Sequence, residues 1–367
     1  MRTSLSLILF AGLSLAAICE KIRLPRIVGM IVSGILLGPF VLDLLDPQIL
    51  GISAELRKMA LIIILIRAGV SVDLSDLKKV GRPAVLMSFV PASFEILGYV
   101  LCAPLFLGVS RIEAAVMGAV LGAASPAVVV PRMLRLMEEK RGTEKRIPHL
   151  IMAGASCDDI FVIVLFTNFA DMAQGGNARL LDFASIPVSI LLGVVIGAAF
   201  LLIAIEGWLK NRVAVSGLLA VVGMACVLEL KSPACVTRRL SEKFGKLWLA
   251  AEVILFVLVG AAVDIRYTLS AGIAAVAMIF IALAFRAAGV AHSQIGTPLN
   301  KRERHFCVIA YLPKATVQAA IGSVPLAMGL SCGSIVLSVA VLGILITAPL
   351  GALGIDLSYK KLLSKAG

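Results

Sequence analysis

Almost from end to end, the sequence is divided into apolar runs long enough to cross a bilayer. They lie at about 3 to 20, 25 to 45, 57 to 73, 83 to 108, 112 to 137, 147 to 171, 185 to 209, 213 to 230, 247 to 264, 268 to 292, 304 to 328 and 333 to 355. A hydrocarbon core about 30 Å thick takes about 20 apolar residues per helix. Within it every backbone N–H and C=O must be satisfied internally, so runs of this length are helices. Barrel strands would be shorter and would alternate in polarity, and these runs do neither. The reading is an all-α polytopic membrane protein of 12–13 transmembrane helices, one integral domain over residues 1–367. Composition agrees: 60% of residues are hydrophobic, 15% are charged, and the mean hydropathy is +1.03, far more apolar than a soluble domain.

The net charge of +12 does not point to nucleic acid, because Lys and Arg cluster beside the apolar runs, as in loops facing the cytoplasm. In the first half the basic loops follow runs one (Lys21, Arg23, Arg26), three (Lys78, Lys79, Arg82) and five (Arg135, Lys140, Arg141, Lys145, Arg146). They place the N-terminus outside. In the second half they follow runs eight (Lys231, Arg238, Arg239, Lys243, Lys246), ten (Lys301, Arg302, Arg304) and twelve (Lys360, Lys361, Lys365). Twelve crossings would leave those loops outside. A thirteenth between residues 172 and 230 puts them and the C-terminus in the cytoplasm, although two further spans need about 40 residues and the stretch is short for them. The location expected is a plasma or cytoplasmic membrane. The N-terminal run continues into EKIRLPR without a small-residue cleavage site and reads as a first helix rather than a signal peptide. Cys102, Cys157, Cys226 and Cys307 lie in apolar runs without metal-ligand spacing and read as packing residues.

The two halves repeat one pattern. GVSVDL (69 to 74) is matched by GAAVDI (260 to 265), and 22 residues beyond each aspartate the next helix carries one charge, Glu95 or Arg286. A proline-interrupted helix follows in both, AASPAVVVP around Pro126 and AYLPKATVQ around Pro313. SGILLG (from Ser33) and SGLLAVVG (from Ser216) add a weaker match. With the charge bias, this gives two inverted repeats, about 1–171 and 213–367, joined by a linker at about 172–212. Inverted repeats with discontinuous helices are built by secondary transporters, which bind ions at the bilayer midplane where the breaks meet. Ser125-Pro126 and Leu312-Pro313 mark the breaks, with Lys314 and Thr316 just beyond the second.

Asp158 and Asp159 stand together inside AGASCDDIFVIVLF. An acid at the bilayer centre costs about 2.5–3.5 kcal/mol on insertion scales, so two neighbours need bases, water or a ligand. Consecutive helix positions point about 100° apart and need not share that ligand. A structural pair would be held by buried bases; a functional pair would bind a cation in competition with protons. Sodium and lithium are hard ions that take oxygen ligands, and Asp158, Asp159, Ser125, Ser156 and carbonyls freed at the breaks offer them. Glu95 and Arg286, at equivalent repeat positions, read as an ion pair or as links to the aspartates. Arg286 is a fixed counter-charge, since arginine keeps its proton. Lys314 can cap helix-end carbonyls or pair with an aspartate. Arg67 can reach the interface along its stem, while His149, His292 and His305 sit near segment ends and form no cluster.

These residues resemble the monovalent cation/proton antiporters, and among them sodium/proton antiporters of the NHA type. The resemblance rests on ASPAVVVP (124 to 131), AGASCDDI (153 to 160) and YLPKATVQAAIGS (311 to 323), with Glu95 and Arg286 in place, and covers nearly the whole chain. It implies the sodium/proton antiporter fold of crossed discontinuous helices. It also implies a sodium or lithium site at the aspartate pair with Asp159 indispensable, Glu95 and Arg286 pairing in the core, and Lys314 as the lysine of the second broken helix. A homodimer with a moving core is implied too. Such proteins have thirteen or more helices, and this chain looks short by one in its middle.

The function expected is Na⁺ (or Li⁺) exchange for H⁺, with K⁺/H⁺ exchange as the alternative and a channel or non-transporting sensor less favoured. No cofactor is called for. The chain lacks a GxxxxGK[ST] phosphate loop, which argues against an ATP-driven pump, and no nucleophile–base arrangement indicates an enzyme.

Overall fold

The computed structural model describes residues 2–22, 24–71, 80–175, 232 and 234–365. Asp73, Lys78, Lys79, Cys226, the expected helices at 185 to 209 and 213 to 230, the linker and any thirteenth crossing there lie outside them. So does the side chain of Arg67. Among the described residues there is no strand, and the fold is helical throughout. Among the described residues, seven helical stretches are long and apolar enough to span a membrane.

Four helices form one side of the molecule: α1 (Arg2–Lys21), α2 (Arg26–Leu37), α4 (Ser53–Ser71, after the short α3, Pro47–Gly51) and α10 (Ala234–Ala261), with α10 packed on the other three. Their approach depends on small residues, as is usual where lipid supplies no hydrophobic drive between helices. A Cβ at Gly34 would stand 2.0 Å from the Val257 carbonyl oxygen, and one at Gly260 would stand 2.2 Å from that of Ile31. Both obstacles are backbone and cannot rotate away. Gly34→Val therefore lowers stability by about 3 kcal/mol or more, the upper end of overpacking costs, read as a lower thermal unfolding midpoint in detergent.

The other side contains α5 (Arg82–Met87), α6 (Val90–Leu107), α7 (Arg111–Leu121), α8 (Pro126–Glu138) and α9 (Ile147–Ala173). With them are α11 (Ile265–Ser293), α12 (Lys301–Ala310), α13 (Thr316–Ile321), α14 (Val324–Ala327) and α15 (Gly333–Leu362). α6 lies along α11 and α7, while α9 packs on α5, α7 and α8. The run expected at 83 to 108 is divided in two, with Pro91 in the first turn of α6, where its missing N–H leaves no bond unmade. α11 bends at Gly272, whose φ of 36° disfavours any residue with a Cβ.

Both proline-marked runs are interrupted. α7 stops at Leu121 and α8 starts at Pro126; α12 stops at Ala310 and α13 starts at Thr316. Reciprocal capping boxes define the outer ends, Ser110 with Glu113 for α7 and Asn300 with Glu303 for α12. The second break fits against α15 because Gly351 has no side chain: a Cβ there would lie 2.2 Å from the Pro313 ring. α13 in turn touches α4 and α10, so the second break sits where the two sides of the molecule meet.

Candidate ion site at the crossing of two broken helices

A break in a buried helix exposes N–H and C=O groups that must find partners within the protein. Here the extended segments of the two breaks cross and bond each other, the Ser125 N–H donating to the Pro313 carbonyl at 2.9 Å. Others are bonded by side chains from α9, α11, α13 and α15.

Arg286, fully buried on α11, takes one carbonyl from each break. Its Nε donates to the Tyr311 carbonyl at 2.7 Å in the second break, and its Nη1 donates to the Gly122 carbonyl in the first. The same Nη1 meets Glu95 Oε2 at 2.9 Å, and Nη2 meets Asp158 Oδ2 at 2.6 Å. The guanidinium carbon stands 5.0 Å from the centre of the Tyr311 ring, and the Tyr311 hydroxyl donates to the Met87 carbonyl at 2.8 Å. Only a planar fork of several donors can serve four acceptors on different segments, so lysine is no substitute.

Lys314 neither caps a carbonyl nor reaches an aspartate. Its Nζ lies 2.5 Å from Glu95 Oε2, and its N–H donates to Thr347 Oγ1 on α15 at 2.9 Å. One glutamate oxygen thus receives both Arg286 and Lys314.

The adjacent aspartates are treated differently. Asp158 is held by Arg286 and by the Ala124 N–H at 2.9 Å. Asp159 is 5% exposed, and its Oδ1 has no hydrogen-bond partner among the described residues. Asp158 Oδ1 and Ser125 Oγ are also buried and without partners there. Ser125 occupies the N-cap position of α8, where a serine hydroxyl normally accepts an N–H of the first turn, yet it caps nothing. Ser156, on the aspartate helix, instead donates its hydroxyl to the Met152 carbonyl one turn back at 3.0 Å. Thr316 is buried as the first residue of α13.

The charges can be counted. Glu95, Asp158 and Asp159 are three acids; Arg286 and Lys314 are two bases. With all five ionised, one negative charge is left over, and the carboxylate without an ion-pair partner among the described residues is Asp159. The other buried charged residues belong elsewhere: Arg57 donates to the Leu258 carbonyl near the end of α10, and Glu303 pairs with Lys145 at 2.8 Å. Of the histidines, His292 stacks on Phe94 with ring centres 5.9 Å apart, exposed His305 contacts the Lys301 carbonyl at 2.6 Å, and His149 is partly buried.

One member of the site was not anticipated from sequence. Gln318 is fully buried on α13; its Oε1 accepts the Ala315 N–H at 2.8 Å, and its Nε2 donates to the carbonyls of Ala123 at 2.9 Å and Leu121 at 3.4 Å. The available signal was a neutral amide in an apolar helix, one turn beyond a break.

An all-helical membrane protein in which two interrupted helices cross beside buried acids and bases has the architecture of an antiporter. The profile described as "Sodium/hydrogen exchanger, transmembrane" matches residues 5–212 and 196–357, and the chain belongs to that family of cation/proton antiporters. Human sodium/hydrogen exchanger 9B2 is 31% identical over 378 aligned positions, covering 93% of this chain and 70% of that protein. Human sodium/hydrogen exchanger 9B1 is also 31% identical, over 381 positions covering 93% and 73%. In fold the chain resembles the sodium proton antiporter MjNhaP1 from Methanocaldococcus jannaschii, with a TM-score of 0.80, 22% identity and coverage of 98% of this chain and 97% of that one.

Proposed function

We propose that this protein exchanges Na⁺ or Li⁺ for H⁺ by alternating access, with Asp159 holding cation and proton in turn. The observation that carries the reading is the unbalanced carboxylate of Asp159 together with two further buried oxygens, Ser125 Oγ and Asp158 Oδ1, that have no partner among the described residues. One monovalent cation, or one proton, closes the charge balance, and the two cannot do so together. Exchange follows, because the site is electrically satisfied by either ion while empty it leaves a net charge in a low dielectric, which resists movement. Asp158, committed to Arg286 and the Ala124 N–H, is a fixed support that offers its second oxygen.

On this reading Lys314, engaged with Glu95 at 2.5 Å, takes no part in proton exchange, so one Na⁺ moves against one H⁺ and no net charge crosses. The ends of the membrane domain follow the charge bias, with the N-terminus outside and the C-terminus cytoplasmic, and the two halves act as inverted repeats. The protein works as a homodimer, with the outward residues Phe10 and Ile18 of α1 among those open to a second copy.

The test is proton flux in liposomes containing the purified protein, driven by gradients of Na⁺, Li⁺ or K⁺. Na⁺ and Li⁺ drive flux, each with an apparent KM that rises in proportion to proton concentration because both ions need the same carboxylate. An imposed membrane potential leaves the initial rate unchanged. Flux that responds steeply to the potential rules out the one-for-one count, and flux driven by K⁺ alone replaces the cation.

A further inference from the structure

Three consecutive residues of the first break are each held by a different partner. Ala123 offers its carbonyl to Gln318, Ala124 its N–H to Asp158, and Ser125 its N–H to the Pro313 carbonyl. Asp158 supports the site, and Pro313 belongs to the opposite break. The bonds of Gln318 run both ways across the crossing, from a freed N–H of the second break to two freed carbonyls of the first.

We propose that Gln318 is a positioning residue for the exchanged cation. It fixes the segment that carries Ser125 Oγ, and by occupying the Leu121 and Ala123 carbonyls it withholds them from the ion, leaving the carboxylates and the serine as its ligands. The proposal rests on the reading that the cation sits at Asp159. The chemistry is specific to an uncharged amide. The carbonyls need a donor and the Ala315 N–H needs an acceptor, and glutamine supplies both at its side-chain tip. An ionised glutamate accepts only, a lysine donates only, and either would alter the net charge of −1 on which exchange depends. Displacing a positioned ligand by about 1 Å costs of the order of a hundredfold in well-ordered sites, so a loosened Ser125 registers first in cation affinity.

If Gln318 served only to satisfy buried backbone, its loss would lower stability and the amount of working protein, and the survivors would bind cation normally. Proteoliposome flux separates the two. In Gln318→Met, which fills the space without bonding, the apparent KM for Na⁺ rises about tenfold with Vmax per folded protein within about twofold, and the Na⁺/Li⁺ preference shifts towards unity. Gln318→Leu likewise removes the donors and the acceptor without adding charge, so it follows Gln318→Met if the bonds matter. A KM for Na⁺ within about twofold of the parent in both variants overturns the proposal, as does a raised KM in Gln318→Met alone. Should Gln318→Met not fold, Gln318→Leu decides by itself on the same criterion. Asp159→Asn is measured alongside. If it still exchanges cations, the site is elsewhere; if it is inactive while both Gln318 variants keep the parent KM, only the positioning role fails.

Discussion

Asp159→Asn loses Na⁺- and Li⁺-driven proton flux by at least about a hundredfold, equivalent to about 2.7 kcal/mol or more in the limiting barrier, while the protein still folds. The size follows from the charge count. Asparagine leaves Glu95 and Asp158 balanced by Arg286 and Lys314, so the cluster is neutral with no ion bound and nothing recruits a cation. Charge-assisted contacts are worth about 1.5–3 kcal/mol each, and the single ionisable group able to alternate between ions is gone. Folding survives because Asp159 Oδ1 makes no hydrogen bond among the described residues that the amide would break. The measurement pairs flux with thermal unfolding in detergent with and without Na⁺. The parent gains stability with saturating Na⁺, as any ligand of the native state confers, and Asp159→Asn does not. Parent-like flux in Asp159→Asn would sink the proposed site.

Arg286→Met, by contrast, damages the fold itself. Its guanidinium is the shared donor to Glu95, Asp158, Gly122 and Tyr311. Removing one partner of a buried ion pair costs about 3–5 kcal/mol because an uncompensated charge remains, and here two acids and two carbonyls lose a donor together. The expected result is a large fall in the thermal midpoint and little functional protein. The comparison that isolates the cause is Glu95→Gln with Lys314→Met. Removing both members of that pair leaves no charge stranded and costs less than Lys314→Met alone. A double variant as unstable as the sum of its singles would show that the two do not interact.

How much of this was legible in advance depended on whether a residue contrasts with its neighbours. The breaks were legible because proline removes an N–H and cannot be overlooked in a membrane helix; the structure interrupts both helices at those positions, over residues 122–125 and 311–315. The buried acids were legible for a similar reason, their charge being costly in lipid. Gln318 carries no charge and breaks no helix, so it passed as one more residue of an apolar run. Ser156 and Ser125 looked alike as ligands, but a serine within a helix can donate back to the preceding turn, as Ser156 does to Met152, while Ser125 lies outside the helix it precedes. Lys314 was assigned to helix-end carbonyls or an aspartate, and its partner is a glutamate 219 positions away, a distance over which local pattern carries no information.

The amino-acid order by itself determined that the chain lives in a membrane, that it is helical, where two helices must break, and which acids lie buried. Those follow from hydropathy, backbone hydrogen bonding and the cost of charge in lipid, all of which act locally. It could not distinguish Asp158 from Asp159, identical side chains one residue apart. Tertiary structure decided that, bringing Arg286 from 128 positions away and the Ala124 N–H from 34 into bonds with one carboxylate, while no base among the described residues bonds the other. The physical reason is the helix itself: neighbouring side chains point about 100° apart, so one meets the fixed donors and the other does not.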